Sequence, residues 1–333
     1  MSRFRFPSRG VLTPTATFAV LLATYLVGVF SFEHFGSAAV LRNLLVDNAF
    51  LGVAAAGTTV VIISGGIDLS VGSLMALSAV VVSALVGRYG WHPAPAMLVA
   101  LGGGAAFGAA QGGLIRVLAL PAFIVTLAGL FLARGLAFAI QAQSAAVDHP
   151  FIARTLGETL ALELPLGPRG MSLPPTVPAL LLVFAATWWL LRRTPFGRRV
   201  HAIGDDAEAA ALMGVPVAAT GVRVYALSGF LSALAGLFFL LYQQSGDPAS
   251  CRGLELDAIA AVVIGGTLLR GGVGSVVGTF FGVMTLGLIQ TLITFQGDLN
   301  SWWTRIAVGA LMLAFLLGHA ALDRLAERAR RAA

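Results

Sequence analysis

Apolar residues in this chain do not alternate with polar ones; they come in long blocks, each closed by charges, glycines or prolines. The blocks fall near residues 14–32, 47–64, 71–87, 94–115, 119–141, 176–191, 222–241, 256–268, 274–295 and 302–319. A helix needs roughly 17–25 such residues to cross hydrocarbon. Lipid offers the backbone no hydrogen bonds, so helices are the form expected of each block. The pattern predicts an all-α polytopic membrane protein of about ten transmembrane helices, several of them broken or glycine-rich. The first block follows Arg3, Arg5 and Arg9, as a secretory signal does. Apolar blocks continue at once and no A-x-A site follows it, so it reads as an uncleaved first span.

Two hydrophilic stretches interrupt the blocks. Residues 142–175 carry Pro150, Pro165, Pro168, Pro174 and Pro175 with Asp148, Glu158 and Glu163; residues 192–222 are rich in arginine. Neither is large enough to fold alone, so residues 1–333 read as a single membrane domain. Arginines orient it, because positive loops stay in the cytoplasm. Fourteen arginines fall at the termini and in the loops on their side, including Arg116, Arg192, Arg193, Arg198, Arg199, Arg223 and Arg270, against five on the other side. Both termini are therefore expected to be cytoplasmic, with 142–175 the long external loop and 192–222 the long internal one. Trp91 and Trp302-Trp303 then mark the outer interface and Trp188-Trp189 the inner one.

Composition narrows the function. Of 333 residues, 58% are hydrophobic and 11% charged, where a soluble domain carries about 25% charge. That excludes a soluble enzyme and a disordered chain, and the one cysteine, Cys251, forms no internal bridge. All 21 basic residues are arginines. A Walker A loop needs its lysine against the phosphates, so any ATPase engine must be another polypeptide. The net charge of +6 gathers at block ends, which is a membrane pattern and not a nucleic-acid one.

Two segments carry candidate chemistry. Asp205-Asp206-Ala207-Glu208 through Leu212-Met213-Gly214-Val215-Pro216 reads as one short helix near 205–214. Asp205 and Glu208 have capping-box spacing, Gly214 suits a left-handed stop and Pro216 ends the run. So short a helix is unstable alone, and Leu212 with Met213 offers an apolar contact, either to its own bundle or to a separate partner. The second segment, Ser64-Gly65-Gly66-Ile67-Asp68-Leu69-Ser70-Val71-Gly72-Ser73, breaks a helix between two apolar blocks, with Asp68 or Ser70 able to cap the next. An intramembrane carboxylate suggests a pathway residue, while a plain helix cap near the inner boundary accounts for it equally. Asn48, Gln111, Thr126, Gln141, Gln290 and Thr291 add uncharged polar positions suited to a hydroxyl-rich solute or to interhelical bonds. The pathway candidates are thus Asn48, Asp68, Ser70, Ser73, Gln111, Thr126 and Gln290. Arg134 either snorkels or pairs, and Glu255 with Asp257 is expected at the outer face. The histidines form no metal-site spacing. Gly65-Gly66…Val71-Gly72-Ser73 matches Gly265-Gly266…Val273-Gly274-Ser275 with a two-residue difference in spacing, as a duplication or a chance of glycine-rich breaks produces.

Over residues about 35–320 the sequence resembles the sugar-specific ABC importer permeases of the ribose/xylose/arabinose group. Gly65–Ser73, Pro121–Gly129 with Arg134-Gly135, Thr194-Pro195-Phe196-Gly197, Ala202-Ile203-Gly204 and Gly253–Thr267 carry the resemblance. Ser301-Trp302-Trp303-Thr304 and Leu288-Ile289-Gln290-Thr291 look most like the galactofuranose branch of that family. The resemblance implies a permease in the bacterial inner membrane, importing a neutral monosaccharide such as galactofuranose. It implies three partners: a cytoplasmic ABC ATPase holding ATP and Mg, a periplasmic sugar-binding protein and a second permease chain, like or unlike. The chain itself then needs no cofactor and is no enzyme. Asp205, Glu208, Leu212, Met213 and Gly214 become the coupling helix, with Asp205-Asp206 departing from the family's usual Gly or Asn. Competing readings are a proton-coupled secondary transporter with Asp68 as carrier, and a membrane enzyme or channel.

Overall fold

A computed structural model describes residues 9–152, 162–164, 171–297 and 302–331; Arg3, Arg5, Arg154, Glu158, Arg169 and Ser301 lie outside these. The described helices are α1 (Arg9–Ser31), α2 (Ala38–Asp47), α3 (Ala49–Ile63), α4 (Val71–Gly87), α5 (Pro93–Arg116), α6 (Ala122–Ile140) and α7 (Thr176–Arg193). They continue with α8 (Pro195–Asp205), α9 (Ala207–Leu212), α10 (Val217–Gln243), α11 (Leu254–Ile264), α12 (Val276–Gln296) and α13 (Trp302–Arg331). Two small antiparallel pairs join β1 (Ala145–Ala146) to β4 (Ser245–Gly246) and β2 (Leu162–Leu164) to β3 (Met171–Leu173).

Each of the ten apolar blocks falls on a helix. Among the described residues six helices are long and apolar enough to cross a membrane, seven if α2 and α3, bent 52° at Asn48, count as one span, while α4 and the Trp302–Gly318 part of α13 are shorter apolar helices. The block at 256–268 yields only the 11-residue α11, about 16 Å long at 1.5 Å per residue. α3 explains why periodicity was uninformative: every residue but Phe50 is buried, so it is apolar all round. The outer ring is α1, α5, α6, α7 and α13, which expose Phe30, Leu98, Phe131, Leu182 and Leu317.

Small residues set the closest packing. Gly104, Gly108 and Gly112 share one face of α5, and a Cβ on them would run into Gly229, Tyr225 and Val222 of α10, largely into backbone. In lipid, such stripes let two helices touch along their main chains.

The segment after α10 is the main surprise. β4 pairs with β1 where α4 and α6 finish, with Ser83 Oγ donating to the Ala145 carbonyl (3.1 Å) and Gln141 Nε2 to the Gly246 carbonyl (2.7 Å). The chain then turns back into the bundle along α4. Gly246 lies against Ala79 and Ser83, whereas the Cys251 carbonyl and Glu255 carboxylate lie against Gly72, about 10 Å further along the helix. Glu255 and Asp257 therefore open a half-length helix within the bundle and do not sit at its outer face. Arg134 pairs, donating Nη1 to the Pro248 and Ser250 carbonyls at 2.6 Å each. A guanidinium inside a span is tolerated when carbonyls solvate it.

Candidate functional site

The first break begins where Gly65 (φ +78°) ends α3 in the left-handed conformation. The Gly65 amide donates to Ile62 O (2.9 Å) and the Gly66 amide to Val61 O (3.0 Å), closing the helix with two reversed bonds. Asp68 follows, 1% exposed. Its Oδ1 accepts from the Ser70 amide (2.9 Å) and hydroxyl (2.6 Å), and its Oδ2 from the Ser228 hydroxyl on α10 (2.8 Å). Burying a carboxylate costs several kcal/mol unless it is hydrogen-bonded, and three donors here meet that need. The Ser70 hydroxyl also lies 3.2 Å from the Gln111 amide on α5, whose nitrogen is buried without a partner. One hydroxyl hydrogen cannot serve two acceptors, and the shorter bond to Asp68 takes it. Turning the Gln111 amide over lets its nitrogen donate to Ser70 Oγ.

Neighbouring groups tie the same loop down. The Ile67 carbonyl receives Thr126 Oγ1 from α6 at 3.3 Å and the Tyr225 hydroxyl from α10 at 3.5 Å. Ser73 Oγ donates to the Ser70 carbonyl (2.9 Å) and Arg116 Nη2 to the Ser64 carbonyl (3.3 Å). The expected side-chain cap on α4 is absent: Ser70 holds the cap position without such a bond, and Asp68 bonds only within its loop and to α10. The arrangement is a lock that fastens one helix break to α5, α6 and α10.

Five of the seven pathway candidates, Asp68, Ser70, Ser73, Gln111 and Thr126, are thus brought together. Two are not. Asn48 sits at the α2–α3 bend, where its Nδ2 donates to Leu44 O (2.9 Å) and packs against Gly287 of α12. Gln290 is exposed on α12. Sequence reasoning missed Ser228 and Tyr225; a serine 160 positions from Asp68, buried in an apolar block, was the available signal.

The second break, between α11 and α12, repeats the first stop. Gly266 (φ +84°) takes the left-handed position, with its amide on Val263 O (2.9 Å) and the Thr267 amide on Val262 O (3.2 Å). The equivalence is therefore Gly65 with Gly266, one residue off the sequence match. The two breaks touch, the Gly272 amide donating to the Ile63 carbonyl at 2.9 Å.

At the same end of the bundle lies the short helix α9. Its cap is Asp206, which accepts from the Glu208 amide (2.9 Å) and the Ala209 amide (3.0 Å). This corrects the expected Asp205 cap: Asp205 is the exposed last residue of α8, so the 205–214 stretch is the end of one helix plus another. Gly214 does provide the left-handed stop (φ +80°). Glu208 is exposed, and Leu212 and Met213 are 91% and 73% exposed. Two apolar side chains in the open, on a helix too short to stand alone, make a peg.

The described residues thus form a helical bundle with two interrupted helices and an exposed apolar peg at the end where the breaks lie. The chain belongs to the family described as branched-chain amino acid transport system / permease component, which matches residues 40–316. It is 47% identical to the inner membrane ABC transporter permease protein YjfF of Escherichia coli (strain K12), over 90% of this chain and 89% of that one. It is 37% identical to the ribose import permease protein RbsC of Bacillus subtilis (strain 168), over 85% of this chain and 84% of that one. With the fructose import permease protein FrcC of Rhizobium meliloti it shares 34% identity, over 90% and 84%. No solved structure matches the chain.

Proposed function

We propose that this chain is the membrane-spanning subunit of an ATP-driven importer for a neutral monosaccharide. The observation that carries the reading is the exposed peg at Leu212 and Met213, an apolar surface open to a partner chain. In this reading a cytoplasmic ABC ATPase seats it, with α9 and both termini on the cytoplasmic side of a bacterial inner membrane. The chain hydrolyses nothing; ATP and Mg belong to that partner. A periplasmic sugar-binding protein delivers the solute at the opposite end, and a second permease chain, like or unlike, completes the pathway. The lysine-free sequence accords with this division of labour.

For the solute, the family description points to amino acids while the named relatives include ribose and fructose import permeases. A lock built from serine, threonine and glutamine suits hydroxyl exchange, and galactofuranose, suggested by Leu288–Thr291 and Trp302–Thr304, is the first sugar to try. The proton-carrier alternative draws on Asp68, whose oxygens already accept three hydrogen bonds. The test is reconstitution in liposomes with the cognate ABC ATPase and sugar-binding protein. Sugars, not amino acids, are expected to stimulate hydrolysis and enter the vesicles, with no uptake by the chain alone under a pH gradient. Gly214→Pro and Glu208→Arg are expected to abolish ATPase assembly, since proline cannot adopt φ +80°. Unaided accumulation of solute would overturn the proposal.

A further inference from the structure

α8 joins the peg to the bundle, and it touches both helix breaks at once. A Cβ at Gly204 would run into the Ile63 carbonyl and the Gly272 amide, and Gly271 packs against Gly65 and the Gly204 carbonyl. One turn earlier on α8, His201 Nδ1 lies 2.8 Å from the Gly272 carbonyl. A carbonyl can only accept, so Nδ1 carries the hydrogen and donates it. Gly272 in turn donates its amide to Ile63, the last residue of α3. His201, Gly272 and Ile63 therefore form one continuous connection from α8 through the second break to the first. Contacts between bare backbones leave no flexible side chains to absorb a displacement. On the other side, α8 reaches α9 through the single residue Asp206, whose carboxylate fastens the first α9 amides.

We propose that His201 is the positioning residue of a relay: displacement of α9 by the ATPase passes along α8 and shifts both helix breaks together. Gly204 is the point of contact that keeps the three backbones in register. The inference rests on the reading of α9 as the ATPase dock. No other charged or titratable side chain is needed for it, because the connection runs through main-chain groups beyond His201.

Hydrogen exchange on the full chain in lipid nanodiscs, with and without its cognate ABC ATPase, tests the relay at amides 64–72 and 265–275. In the wild type, ATPase binding is expected to change exchange in both segments by about fivefold or more, the low end of site-to-site coupling. His201→Ala is expected to bind the ATPase as the wild type does but to lose the change in both segments. His201→Asn, whose side-chain amide donates from nearly the same position, is expected to restore it. Failure of the ATPase to bind the wild type would overturn the functional reading and the relay with it. Binding that leaves either break unchanged in the wild type, or that changes both equally in His201→Ala, would overturn the relay alone.

Discussion

At the first helix break a carboxylate sits among hydroxyls and an amide drawn from its own loop and from α10; at the second there is no carboxylate at all. The second loop is closed from within, by Leu268 on Val273 O (3.1 Å), Gly271 on Leu268 O (3.0 Å) and the Ser275 amide on Thr267 Oγ1 (3.3 Å). Both begin with the same left-handed glycine stop, at Gly65 and Gly266. The difference lies in how each loop is held from outside. The second is tied by neutral bonds, from His201 Nδ1 to the Gly272 carbonyl (2.8 Å) and from the Gly272 amide to the Ile63 carbonyl (2.9 Å), whereas the first adds the Asp68 carboxylate, which accepts from Ser228 on α10. A carboxylate accepts several bonds at once, so Asp68 holds its own loop and the remote helix together.

The contrast breaks most easily at its charged member. Asp68→Ala leaves the Ser70 amide, the Ser70 hydroxyl and the Ser228 hydroxyl without an acceptor. Each buried orphan costs about 1–3 kcal/mol, so a loss of roughly 3–9 kcal/mol is expected. Thermal unfolding of the purified chain in nanodiscs measures it, and an unchanged midpoint would show that the lock is idle. Ser228→Ala removes only the attachment to α10 and is expected to cost about 1.5–3 kcal/mol, as a hydrogen bond to a charged group does. The same unfolding curve reads it, with exchange rising at 66–70 before elsewhere. Smallest is Ser275→Ala, which deletes the α12 cap bond to the Gly278 amide (3.1 Å) and is expected to cost about 1 kcal/mol. A Ser275→Ala loss equal to that of Asp68→Ala would abolish the distinction between the two loops.

Much of this was legible in the chain. The apolar blocks foretold the helices, because lipid leaves a buried backbone no other choice. Gly65-Gly66 and Gly214 announced two stops, and Asp68 stood out as a carboxylate between apolar blocks. What stayed hidden depended on distance in space. Ser228 and Tyr225 meet the Asp68 loop from a remote helix, and a serine in an apolar block carries no mark of its partner. The half-length of α11 was masked because its apolar block runs on through Gly265-Gly266 into the break. Asp205 and Asp206 are adjacent acids with equal propensity to cap; only the end of α8 decides between them. Gln290 and Thr291 lie side by side, yet one is exposed and the other donates to Gly287 O (2.8 Å).

The glycine stripe of α5 has a mechanical corollary. Where Gly104, Gly108 and Gly112 press their main chain onto α10, there are no rotamers to reshuffle and no slack to take up. Two rods joined that way turn as a single axle. A bulky residue placed on the stripe would meet the α10 main chain and prise the two rods apart along their whole seam.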